Sequence, residues 1–120
     1  MKFSGIVKKD QGRGKQLGFP TANLDLPQDV ADGIYVGLAN NHQALIFIGA
    51  NITFGESARH AEAYLLDFSG ELYGQQIEVE LLKKLRENKK FDSQEALIEQ
   101  MKIDERIARE FFAGSPLSRG

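Results

Sequence analysis

With 120 residues the chain has room for one domain with one modest core, not two. A net charge of −2 with dispersed basic residues leaves no global footprint for nucleic acid or an anionic membrane, and the lack of cysteine excludes disulfides, thiolate metal sites and cysteine nucleophiles. No apolar run approaches the roughly 20 residues that span a bilayer, and Met1-Lys2-Phe3 opens directly into a strand pattern with no space for a signal peptide, so the cytoplasm is the expected setting.

The first element is a strand over 3–9, where apolar and polar residues alternate until the polar and glycine cluster at 10–14 ends it. A glycine-rich, cationic stretch follows, with Gly12, Gly14 and Gly18 interleaved with Arg13 and Lys15, and it runs through Phe19 into Pro20-Thr21-Ala22-Asn23. Glycines let a backbone approach a ligand closely. Pro20 fixes its own φ and pushes Phe19 towards an extended conformation, so Thr21 and Asn23 are expected to present neutral oxygens from a stiff segment. Such oxygens complete the shell of a hard cation beside phosphates and water. The familiar phosphate loops do not account for the stretch. Lys9 stands where a P-loop has its first glycine and Gln16 where it has Ser or Thr, and Gly18 falls one residue too late for a dinucleotide fingerprint. A tight turn and a phosphate site both remain open at this level.

Short apolar runs over 33–39 and 44–49 flank Asn40-Asn41-His42, which reads as a hairpin turn because Asn tolerates positive φ. Two more strands are expected over 59–68 and 76–82. The spacing of all these strands argues for a small antiparallel barrel. One helix follows, opened by Asp92 with Glu95 in a capping-box-like arrangement. Its face is expected from Leu97, Met101, Ala108 and Phe111, with Ile103 and Ile107, packed against the barrel. Gly114 and Pro116 end it, giving a domain over 1–113 and a loose tail over 114–120.

The segment 12–24 resembles the glycine-rich loop and Pro-Thr-Ala-Asn motif of riboflavin kinases of the bacterial and eukaryotic type. Further landmarks of that family follow in order: Gly33-Ile34-Tyr35; Ile48-Gly49-Ala50-Asn51-Ile52-Thr53-Phe54; Glu62 with Leu65-Leu66-Asp67-Phe68; Leu72-Tyr73-Gly74; Leu85-Arg86; and Phe91-Asp92-Ser93. Ile52 stands where the family usually has proline, so the loop after Asn51 is expected to be less rigid than usual.

The resemblance implies a closed, Greek-key antiparallel barrel with one C-terminal helix. It also implies transfer of the γ-phosphate of ATP to the 5′-hydroxyl of riboflavin, giving FMN and ADP with Mg²⁺ or another divalent cation in its place. By the same resemblance Glu62 is the catalytic base and Thr21 and Asn23 are the metal ligands. Gly12, Arg13, Gly14, Lys15, Gly18, Phe19, Pro20, Thr21 and Asn23 border the nucleotide, and Phe19, Arg86 and Phe91 border the flavin.

Read from its strand alone, Glu62 shares a face with His60, Tyr64, Leu66 and Phe68. If that face lines the barrel, desolvation improves the carboxylate as a base. If it faces water, Glu62 is an ordinary surface residue. His42 and His60 lack metal-ligand spacing and take no role.

The expected protein is a monomeric, stand-alone kinase with riboflavin and ATP as partners, no nucleic acid and no membrane. Nothing resembles the His-x-Gly-His signature of the adenylyltransferase module that makes FAD in many bacterial relatives. The competing readings are a non-catalytic flavin- or nucleotide-binding module and a barrel that binds single-stranded nucleic acid; the latter needs a basic groove with stacking aromatics.

Overall fold

A computed structural model describes residues 1–8, 21–25, 29–50, 58–67 and 74–114, with residues 21–23 described by their backbone. Six strands form one antiparallel sheet: β1 (Lys2–Ile6), β2 (Thr21–Leu24), β3 (Gly33–Ala39), β4 (His42–Gly49), β5 (His60–Leu65) and β6 (Gln76–Arg86), followed by helix α1 (Gln94–Phe112). Their spatial order is β1-β6-β3-β4-β5-β2. Within it β6 returns beside β3 after the run β3-β4-β5, which is a Greek-key arrangement.

The β3–β4 hairpin forms as its sequence dictates. Asn40 and Asn41 both adopt positive φ, 48° and 69°, the backbone that a two-residue turn needs to follow the strand twist. The Asn40 side chain also accepts from the Glu78 amide at 2.8 Å, tying the turn to β6. Register shifts between β3 and β6 fall between Ile34 and Tyr35 and between Val36 and Gly37. Such bulges add twist and bend the sheet. Gly37 sits at the second, where a Cβ would meet the Glu80 carbonyl oxygen at 2.3 Å, so the close approach of β6 excludes any side chain there.

The curled sheet has two apolar faces. Phe3, Val7, Leu24, Ala39, Ile46, Ile48, Ala61, Ala63, Leu65, Ile77 and Val79, drawn from all six strands and their ends, fill the inside of the curl. Ile34, Val36, Leu45, Tyr64 and Leu66 point the other way and pack with Met101 and Ala108 of α1. The expected closure of the barrel fails. Among the described residues no backbone ladder joins β1 to β2, and the sheet is an open half-barrel. Its two edges meet through side chains instead: Leu24 lies against Gly5, and Lys8 pairs with Asp25 at 2.5 Å.

Helix α1 departs from its expected start. Ser93, not Asp92, is the N-cap, its Oγ accepting from the Ala96 amide at 3.1 Å, so Glu95 is not placed for a capping box. Ser93→Ala should cost about 1 kcal/mol, read as a lower denaturant midpoint with unchanged slope. The buried stripe is Met101, Asp104 and Ala108. Ile103 and Ile107, expected on that face, are each 41% exposed. At the far end Gly114 takes φ 80°, the left-handed residue that stops the helix. Arg109 pairs with Asp67 at 2.8 Å beyond β5 and holds that carboxyl below its ordinary pKa, so the contact persists at neutral pH and is lost as acid protonates Asp67.

Candidate active site

Strand β5 is buried along both faces because it runs between β4 and β2 and separates the inner core from the layer under α1. Ala61, Ala63 and Leu65 take the inside. The alternate set, His60, Glu62, Tyr64 and Leu66, therefore lies on the outer face, not on the one lining the barrel. Glu62 is buried all the same, at 7% exposure. Neither expected environment, barrel lumen or open solvent, describes it.

The carboxylate is held from both sides along its own strand. The Tyr64 hydroxyl donates to Oε2, and His60 Nε2 lies 3.2 Å from Oε1. Phe47 is opposite Glu62 on β4, and its ring lies 5.8 Å from that of His60. A carboxylate has about four lone-pair sites, so two such bonds leave capacity to accept a further proton or hydrogen bond.

On the other side of β5, the register sets Asn23 opposite Glu62 and Thr21 opposite Tyr64. Three of the expected site positions thus come together on adjacent strands. The segment that carries Thr21 and Asn23 is itself a strand, where its sequence predicts only a stiff segment. Alternation along β2 gives its two oxygen-bearing positions the same face. Among the described residues no group of three or more His, Asp or Glu could hold a metal ion. A neutral hydroxyl and an amide suit Mg²⁺ when phosphates supply the charge. Gly12, Arg13, Gly14, Lys15, Gly18, Phe19 and Pro20 lie outside the described residues, as does Ile52.

At the end of β6, Arg86 has partners that its sequence context did not disclose. Its Nε and Nη2 donate to the carboxylate of Asp104 at 2.8–3.1 Å, and Nη1 donates to the Glu87 carbonyl at 3.1 Å. Asp104 is 2% exposed and also accepts from Gln100 at 3.1 Å. The guanidinium therefore fastens the 87–91 loop to α1. Phe91 packs 5.7 Å from the Arg86 guanidinium and 5.0 Å from the Lys89 ammonium, while Asn88 donates to the Ile48 carbonyl at 3.0 Å. Phe91 is half-buried on this anchored loop. Tyr64 and His60 were readable as neighbours of Glu62 from their alternate spacing. Asp104 was readable as the missing member of the stripe Leu97, Met101, Ala108, Phe111.

The riboflavin kinase family model matches residues 1–112. The chain belongs to the riboflavin kinase family. It is 40% identical over 108 residues to an RNA-binding riboflavin kinase of Bacillus subtilis, covering 85% of this chain and 47% of that protein. It is 35% identical over 113 residues to human riboflavin kinase, covering 83% of this chain and 73% of the human one. A crystal structure described as a macrolide-efflux protein from Streptococcus pneumoniae superposes with a TM-score of 0.76 at 34% identity, covering 90% of this chain and 38% of that one. The chain spans less than half the length of several of the curated relatives it matches. No helix among the described residues is long and apolar enough to cross a membrane. The six strands and the C-terminal helix among the described residues, and the ordered landmarks, agree with family membership.

Proposed function

We propose that this chain is an ATP:riboflavin 5′-phosphotransferase, with Glu62 as the general base. The observation that carries the reading is a buried glutamate, gripped by His60 and Tyr64, with Asn23 beside it in register in a riboflavin kinase fold. Phosphoryl transfer to an alcohol asks the protein for positioning, charge stabilisation and a proton acceptor, not for covalent chemistry. Glu62 takes the proton of the ribityl 5′-hydroxyl as that oxygen bonds to the γ-phosphorus, and the bond from phosphorus to the β–γ bridging oxygen breaks to release ADP.

Thr21 and Asn23 would hold Mg²⁺, or another divalent cation in its place. When bound, the ion offsets the charge of the β- and γ-phosphate oxygens. The glycine-rich sequence from Gly12 to Gly18 with Arg13 and Lys15, together with Phe19 and Pro20, is assigned to the nucleotide, where it would cover the phosphates and exclude water. Phe91 borders the flavin from a loop that the Arg86–Asp104 pair keeps in place. In this assignment Arg86 acts on the flavin pocket mainly through that loop. The setting proposed is the cytoplasm.

Incubation with riboflavin, ATP and Mg²⁺, followed by fluorescence-detected chromatography, tests the reading. FMN should appear with an equal amount of ADP. Flavin binding without FMN, across several nucleotides and metals, would point instead to a non-catalytic module. Asn23→Ala should weaken Mg-nucleotide binding about tenfold or more, as loss of a charge-assisted contact does, with riboflavin affinity little changed. Calorimetric titration of the two ligands separately reads this out, and equal weakening of both would remove Asn23 from the metal site.

A further inference from the structure

His60, Glu62 and Tyr64 stand at alternate positions of β5, so one strand face carries a carboxylate with a donor group on each side. Glutamate has freedom about its terminal torsion, which is broad rather than staggered. A single bond from Tyr64 to Oε2 leaves rotation about that contact. His60 Nε2, 3.2 Å from Oε1, closes the second contact and fixes the carboxylate plane. The imidazole is also placed by a contact other than Glu62: its ring is tilted 49° against that of Phe47 at 5.8 Å. The charged neighbours have other partners: Arg59 pairs with Asp32 at 2.6 Å and donates to the Val30 carbonyl at 2.5 Å, and Asp25 pairs with Lys8 at 2.5 Å.

We infer that His60 is a positioning residue for the base: it aims the Glu62 carboxylate at the acceptor hydroxyl by fixing Oε1 while Tyr64 fixes Oε2. The inference rests on Glu62 being the base. A small misplacement of a catalytic group costs far more in turnover than in binding.

The test compares His60→Leu, His60→Asn and His60→Gln. Gln can place an amide N–H near the imidazole Nε2 position, Asn stops one methylene short, and Leu donates nothing. Leu and Asn should lower kcat about ten- to a hundredfold, with the KM values for riboflavin and ATP within about twofold, and Gln should recover most of the loss. Placed on Glu62→Gln, the Leu substitution should add nothing, since residues acting through one group are not additive.

Wild-type kcat in His60→Leu, a loss that multiplies with that of Glu62→Gln, or a change confined to KM would each overturn the inference. Should the Leu variant not fold, equal kcat for Asn and Gln overturns it as well. Wild-type protein that forms no FMN would instead sink the kinase reading on which the inference stands.

Discussion

Glu62→Gln should lower kcat by roughly a thousandfold while leaving the dissociation constants of riboflavin and Mg-ATP within about twofold of wild type. The substitution is nearly isosteric, and the Tyr64 hydroxyl can donate to the amide oxygen as it does to Oε2. Packing around this buried position against Phe47 and under the strand is therefore preserved. What is lost is the ability to take a proton as the acceptor oxygen bonds to phosphorus. A thousandfold corresponds to about 4 kcal/mol of barrier, a reasonable share for one acid–base group in a reaction otherwise run by positioning. Rapid-mixing kinetics with single turnovers, set beside equilibrium titrations, separates the two effects. Turnover near the wild-type rate would remove Glu62 as the base.

The second large effect is on stability. Asp104→Ala should destabilise the fold by about 3–5 kcal/mol, because it leaves the largely buried Arg86 guanidinium without its counter-ion. For a domain of this size that is on the order of 10–20 °C in Tm. The cause is the unpaired charge, not the pair's net worth. Replacing both partners by apolar residues, Arg86→Met with Asp104→Leu, should recover much of the loss, since buried pairs are often matched by hydrophobic packing.

The double variant carries a further consequence for function. Arg86 also holds the Glu87 carbonyl and packs beside Phe91, so a stable double variant should bind riboflavin more weakly while its affinity for Mg-nucleotide is kept. Calorimetric melts and flavin fluorescence titration check the two halves. An Asp104→Ala protein that melts with wild type would show that α1 is held by its apolar stripe alone.

Local chemistry made much of the fold legible. The short apolar runs of β3 and β4 and the paired asparagines between them specify a hairpin without reference to the rest of the chain. The closing glycine of α1 is equally local. What the sequence withheld were features decided by distant partners. β2 is four residues long, too short for periodicity to register, and becomes a strand because β5, far along the chain, pairs with it from Thr21↔Tyr64 to Leu24↔Ala61. β6 continues past Leu82 to Arg86 because β3 pairs with it through Lys83, Lys84 and Arg86, polar residues that read as the start of a loop. Asp92 and Ser93 are both competent caps, and the choice between them rests on which one's backbone stands just outside the helix.

The site divides in the same way. Motif similarity singles out Glu62, Thr21 and Asn23 as candidates, and the register sets their positions on adjacent strands. Periodicity could not settle the environment of Glu62, because both faces of β5 are apolar and both are covered, one by the inner core and one by the layer beneath α1. The place of Asp104 in the helical stripe follows from its spacing, but its role does not: a carboxylate there makes sense only once Arg86 is seen reaching it from the end of β6.

The most direct test of the central claim is to follow label from γ-labelled ATP in the presence of riboflavin and Mg²⁺, with wild-type and Glu62→Gln proteins side by side. The account predicts label in FMN, one for each ADP formed, from the wild-type protein, and almost none from the variant over the same interval. Label released only as inorganic phosphate, or an equal yield of labelled FMN from both proteins, would contradict it.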